Sequence, residues 1–149
     1  MTMPTPISVS RTVAAPAAAV FAVLADPAAH CDIDGSGTVR KAVFGPSPLV
    51  AGSRFGVSMR YWGLPYRMVN RVVEYEPDRR LAWQTLAGVV WRYELEPVDG
   101  GCRVTETWDT AGSPFRIAYR LLRFPDSTLP AIEGTLARLA LRLEAPTAS

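Results

Sequence analysis

The segment His30–Arg40, HCDIDGSGTVR, gathers the chain's single histidine, one of its two cysteines, two aspartates and a Gly-Ser-Gly. Such residues hold metals, build catalytic triads or cradle phosphates, so their spacing must decide. With Asp32 at the first position of a calcium loop, Asp34, Ser36, Gly37 and Val39 fall where that loop wants them. The ninth and twelfth positions are then Arg40 and Val43, so a cation replaces a ligand and the bidentate carboxylate is missing. His30, Cys31 and Asp32 are consecutive, with no second ligand pair at zinc spacing. The Gly-Ser-Gly is not a nucleophile elbow, and a Ser-His-Asp triad would have to use His30 beside Ser36 without the strand–helix context. A phosphate cradle needs glycines that open a helix, and these open a strand. What remains is a polar turn: Asp34 bonds its own downstream backbone, Gly35 and Gly37 supply positive φ, and Ser36 fills the remaining bond. No metal and no cofactor is expected. His30 is expected as a capping or surface residue, with contact to a ligand head group as the alternative.

The other chemistry-bearing residues lie on alternating segments. Asn70 shares a face with Tyr66 and Met68, and Glu106 shares one with Val104 and Trp108. A carboxylate on an inward face must find a partner or raise its pKa. An ion pair with a neighbouring arginine, or a place at a wet rim, is the favoured reading for Glu106. The sharper reading makes it a proton acceptor for a ligand or a general base. Met59, Tyr61, Tyr66, Met68, Trp83, Trp91, Tyr93 and Trp108 fall on faces assigned inward. They either fill a core or wall a cavity with apolar bodies and polar tips. Arg116, Arg120 and Arg123 recur at spacings of four and three and form a basic stripe, read as a solvated face. A transient contact with a membrane surface or an acidic partner is its alternative.

These residues need elements to position them. Ile7–Val13 alternates as a strand. Pro16 and the alanine-rich stretch after it open a helix with Val20, Phe21 and Leu24 on its core face. Asp26-Pro27 reads as an N-cap and first-turn proline of a second short helix. The period then changes to two over Thr38–Phe44, Arg54–Tyr61, Tyr66–Tyr75, Leu81–Thr85, Val89–Glu96 and Cys102–Asp109. Pro97–Gly101, PVDGG, is a strong hairpin turn. Phe115–Phe124 reads as a helix stopped by Pro125. Leu129, Ile132, Leu136, Leu139 and Leu143 then form the stripe of an amphipathic helix of about four turns. Hairpin-linked strands followed by a long helix argue for an α+β fold with an antiparallel sheet, and a twisted sheet curling around one helix leaves a cavity between them.

At 149 residues the chain suits one domain, expected over 7–144 with flexible ends at 1–6 and 145–149. Its net charge of +2, with no basic run, leaves no electrostatic footprint for nucleic acid. No apolar run is long enough to span a membrane, and MTMPTPISVS lacks the features of a secretory signal. Two cysteines are too few for a disulfide framework, so a cytoplasmic protein with reduced thiols is expected.

The stretches SVSRTVAAPAAAVFAVLADPAAH, MVNRVVEYEPDRRLAW, WRYELEPVDGGCRVTETWD and AIEGTLARLALRLE occur in an order that resembles the START-like helix-grip superfamily, in its polyketide cyclase/dehydrase and lipid-transport branch. With DGSGTVR and RFGVSMRYWGLPYR they look like a group of actinobacterial-type members. The resemblance implies a curved sheet of about seven strands gripping a C-terminal helix, two short helices after the first strand, and an apolar cavity. It implies a small hydrophobic ligand (a lipid, an isoprenoid or a polyketide-like aromatic) held by the inward residues named above and by Leu136, and oriented by Tyr66, Asn70, Glu106 and His30. Two other functions stay open. One is an aromatase/cyclase or dehydratase moving protons with Glu106, Tyr66 or His30. The other is a protein-interaction module with a vestigial cavity. Fold alone does not choose among them, nor between monomer and homodimer.

Overall fold

Side chains that alternate with period two need a sheet with one buried face, and seven segments of this chain meet that need. The computed structural model describes residues 6–35, 39–45, 48–61 and 63–144; the side chains of Cys31, Tyr61 and residues 40–44 lie outside that description, as do most of the termini expected to be flexible. The strands are β1 (Ile7–Val13), β2 (Val39–Phe44), β3 (Arg54–Tyr61), β4 (Leu64–Glu76), β5 (Arg80–Thr85), β6 (Val90–Val98) and β7 (Gly101–Asp109). They form one antiparallel sheet in the order β1-β7-β6-β5-β4-β3-β2. Strands β2 to β7 are a meander, and β1 closes the far edge beside β7. The chain therefore crosses from one edge to the other between β1 and β2. It does so through α1 (Ala17–Leu24), a 3₁₀ turn (Pro27–Ala29) and α2 (His30–Ile33). The Asp26 side chain caps that 3₁₀ turn at the Ala28 amide, 3.0 Å away, as the Asp-Pro pair implies.

The register of the site is set at one turn. Asp99-Gly100 joins β6 to β7, with Gly100 at φ +84°, a conformation open to glycine without penalty. Val98 therefore pairs with Gly101, and the ladder runs back without a shift to Val90 opposite Asp109. The inward faces of β6 and β7 keep their phase along the whole hairpin. In β4 a bulge between Val72 and Glu74 breaks the alternation, but only beyond the stretch that faces the cavity.

The C-terminal region departs from the reading of one helix ended by Pro125. A short helix, α3 (Arg116–Leu121), is followed by a 21-residue α4 (Phe124–Glu144). Pro125 lies in the first turn of α4, where a missing N–H costs nothing. Arg123, at φ +59°, turns the chain between the two helices, so the arginine stripe is split: Arg116 and Arg120 on α3, Arg123 in the turn. Pro130 sits inside α4, while Thr128 and Ser127 hydroxyls donate back to the Phe124 carbonyl at 2.8 and 3.0 Å. Ile132, Leu136 and Leu139 are buried, and α4 packs along β1 and β7. Each such side chain contributes about 1.5–3 kcal/mol through burial. Val13, Val20, Leu24, Leu81 and Val104 complete the centre of this core, and Cys102 is a free, buried thiol beside them.

Candidate functional site

Between the sheet and the N-terminal half of α4 lies a cavity of about 620 Å³. The ladder explains its walls. Trp83 on β5 pairs with Trp91 on β6, which pairs with Trp108 on β7. All three indoles line the cavity. On the other side, Met59 pairs with Tyr66 and Val57 with Met68, and these four also line it. Asn70 follows on β4, buried. The α3–α4 corner closes the space with Tyr119, whose ring stands 6.1 Å from Trp108 and 5.3 Å from Phe124.

The ladder also places the chemistry. Tyr93 pairs with Glu106, and the Tyr93 hydroxyl donates to Glu106 Oε1. Both are buried cavity-lining residues. Glu106 Oε2 has no hydrogen-bond partner among the described residues. Burial pushes the Glu106 carboxyl up to about 8; the Tyr93 hydroxyl pulls it down, and the nearby Asp34 charge pushes it up further. The same burial, with Glu106 beside it, raises the Tyr93 phenol well above its ordinary value. At neutral pH the pair is an uncharged acid held by an uncharged phenol. Among the described residues the expected ion pair with an arginine does not form, and the buried carboxyl does not sit at a wet rim. The ladder carries no bulge that would turn Glu106 outward, and the residue opposite it is a tyrosine.

His30 overturns its surface reading. It is 8% exposed and lines the cavity. Its ring stacks on Trp83 at 5.0 Å with 21° between the planes, and Nε2 lies 2.8 Å from the Leu24 carbonyl. That bond makes Nε2 the protonated nitrogen, because a carbonyl only accepts. Burial lowers the His30 pKa against the opposing pull of Leu24, Asp26 and Asp34, so the ring is neutral. Trp83 in turn lies 5.5 Å from Tyr93, which gives a packed row from His30 to the Tyr93–Glu106 pair.

Other expected residues fare differently. Tyr66 is 38% exposed and stands at the edge of the cavity, with Glu106 held by Tyr93 instead. Leu136 is buried in the core and is not among the lining residues, because the part of α4 that faces the cavity is an earlier stretch, Phe124 to Thr135. The side chain of Tyr61, with Ser36 and Gly37 of the polar turn, lies outside the described residues. Asp34 does bond downstream, accepting from the Val39 amide at 3.0 Å. Gly35 is not in a positive-φ conformation; a Cβ there would stand 2.3 Å from the Ala131 carbonyl oxygen. Its amide donates to Thr135 Oγ1 at 2.8 Å, which ties the turn to α4. Asp34 and Phe55 are lining residues that the sequence reading missed. On α3 the outer face carries exposed Phe115, Ile117, Leu121 and Leu122 between the arginines.

With this geometry in hand, the kinship is informative. The profile of the polyketide cyclase/dehydrase and lipid transport family matches residues 4–144. The chain belongs to that family. Membership supports a fold built to hold hydrophobic ligands. A Mycobacterium tuberculosis H37Rv protein, "Uncharacterized protein Rv0088", is 42% identical over an alignment of 142 residues that covers 90% of this chain and 62% of that one. The chain thus spans under two thirds of that relative's length. Protein CV1439 from Chromobacterium violaceum shares the fold with a TM-score of 0.75 at 20% identity, covering 96% of this chain and all of that one. Protein Ms6760 from Mycobacterium smegmatis does so with 0.74 at 17% identity, covering 94% and 91%. At those identities the likeness is one of fold. Among the described residues no helix is long and apolar enough to cross a membrane.

Proposed function

We propose that the protein binds a small hydrophobic ligand, such as a lipid, an isoprenoid or a polyketide-like aromatic, in the cavity between sheet and α4. The observation that carries this reading is the composition of the wall. A space of about 620 Å³ is lined by three indoles, two methionines and aliphatic side chains, with Tyr93–Glu106, His30, Asn70 and Asp34 among its polar groups and hydroxyls from Ser127, Thr128 and Thr135 on the α4 side. That is the usual size and make-up of a ligand pocket: apolar area for affinity, a few convergent polar groups for orientation. Met59, Tyr66, Met68, Trp91 and Trp108 supply contact area.

Native mass spectrometry of freshly purified protein tests the reading, with a co-purified small molecule as the expected result. A ligand at about 100 times its dissociation constant adds roughly 2.7 kcal/mol of stability. If no hydrophobic compound from a lipid, isoprenoid and aromatic panel raises the melting temperature, the reading fails and an interaction module with a vestigial cavity takes its place.

One observation favours a second reading, a polyketide cyclase or dehydratase. A buried carboxyl that stays protonated at neutral pH in a cavity wall is suited to general acid catalysis. In that case Glu106→Gln abolishes product while the ligand still binds; in a pure binding protein there is no turnover to lose.

A further inference from the structure

A buried polar atom without a partner is rare in folded proteins and calls for a reason. Glu106 Oε2 is such an atom among the described residues, and it belongs to a residue that lines the cavity. We infer that Oε2 of Glu106 docks the carbonyl oxygen of an otherwise apolar, uncharged ligand, and that the cavity turns away ligands carrying a carboxylate or an ammonium group. This rests on the ligand-binding reading above and names the chemical class that reading leaves open.

The direction of the bond follows from its neighbour. Tyr93 donates to Oε1, which occupies that oxygen as an acceptor. The proton of the neutral acid then belongs on Oε2, so the unpartnered oxygen of this wall residue is an O–H donor. A carbonyl oxygen is the apolar-compatible partner for it, since it accepts without bringing a charge or an unsatisfied donor into the pocket.

The surrounding charges argue the same way. Sharing the cavity wall with Glu106 are Tyr93 from β6, Asp34 and His30 from α2 and its exit, and Tyr119 from α3; α4 offers Ser127, Thr128 and Thr135. Val9, its partner on β1, is apolar. None of the described lining residues is a lysine or arginine. A carboxylate ligand would meet two acidic side chains and no cation, because His30 is neutral and its N–H is already given to Leu24. An ammonium ligand at Oε2 would require Glu106 to ionise where burial opposes ionisation, with both charges losing their water, and Asp34, the other acidic lining side chain, already accepts from the Val39 amide.

Four probes of one shape separate these cases: pyrene, 1-acetylpyrene, 1-pyrenecarboxylate and 1-pyrenylmethylamine. Each is titrated at pH 6.5 and read by quenching of the cavity tryptophans. The expected result is that the ketone binds about tenfold tighter than pyrene, equivalent to about 1.4 kcal/mol, and that the acid and the amine bind no tighter than pyrene. The ketone's advantage disappears between pH 7 and 9.5 as Glu106 loses its proton. Glu106→Gln keeps the advantage, because the amide donates, and removes its pH dependence. Glu106→Leu removes the advantage, so that the ketone binds no tighter than pyrene; should that variant not fold, the pH profile of Glu106→Gln decides alone. A carboxylate or amine that matches the ketone overturns the inference, as does an advantage that survives Glu106→Leu or persists at pH 9.5. Pyrene that binds with no gain for the ketone overturns this inference alone. Failure of all four to quench overturns the binding reading, and this inference with it.

Discussion

Replacing Glu106 by glutamine will stabilise the ligand-free protein, and by an amount that grows with pH in a defined way. The carboxyl stands at about 8 in the fold against an ordinary 4.5. Below pH 4.5 both folded and unfolded chains hold the proton, and the group costs nothing. Between 4.5 and 8 the unfolded chain releases its proton while the folded chain keeps it, so the native state loses about 1.4 kcal/mol per pH unit. Above 8 both forms are ionised and the full deficit, about 5 kcal/mol, is in place. Glutamine has the same shape, still accepts from Tyr93, and carries no such linkage. The difference in unfolding free energy between variant and wild type, from urea titrations followed by circular dichroism, will therefore climb by about 4 kcal/mol between pH 5 and 9, with its bend near pH 8. His30 also titrates: its lowered pKa adds stability that is present above its ordinary 6.5 and lost as pH falls. That contribution is common to both proteins and cancels in the difference. A difference that stays flat from pH 5 to 8 would refute the reasoning, because Glu106 would then ionise as a solvated carboxylate does.

Tyr93→Phe removes the one donor that lowers the Glu106 pKa, so the bend in that protein's own stability profile moves above pH 8, at an overall loss of about 1–3 kcal/mol for the second orphaned oxygen. Gly35→Ala drives a Cβ into the α4 backbone at Ala131 and Thr135, and a loss of about 1–3 kcal/mol in urea unfolding is expected. Leu139→Ala empties a fully buried site on α4 and will cost about 2–5 kcal/mol in the same measurement, with no change in the pH dependence that Glu106 imposes.

Much of this site was legible in the sequence because the sheet obeys a simple rule where it matters. Trp91, Tyr93, Glu106 and Trp108 share the inner face since neither β6 nor β7 bulges, and their alternation is already visible in the residue types. Even the Tyr93–Glu106 pair was within reach: a two-residue turn at Asp99-Gly100 pairs Val98 with Gly101, and counting back along both strands sets Tyr93 opposite Glu106. The expectation of an arginine partner failed because it rested on how inward carboxylates are commonly satisfied and did not count the register. Pro125 was misread for a different reason. A proline ends one helix or begins another with equal ease, and only packing tells which. His30 was hidden because a lone histidine in a short helix has no period to follow; Trp83, fifty-three residues away, supplies the ring that buries it. Gly35 was read for the wrong property, since a close approach to α4 leaves no trace in the local sequence.

A sheet that needed only to grip α4 would have no use for an acid at position 106. An apolar side chain of the same size would fill the wall, remove an unpartnered oxygen and erase a pH-dependent penalty worth several kcal/mol. The structure instead carries that cost in the wall of its cavity, and positions the acid with a tyrosine fixed by the strand register and packed against Trp83. Rigid support around an energetically unfavourable group is what a binding or reacting site requires, because a donor that is already desolvated and aimed need not be reorganised when its partner arrives. The penalty measured on the empty protein and the selectivity measured with the pyrene series are thus two views of one oxygen. Agreement between them in the pH at which each changes, near 8 in the ligand-free state, would tie the instability to the function.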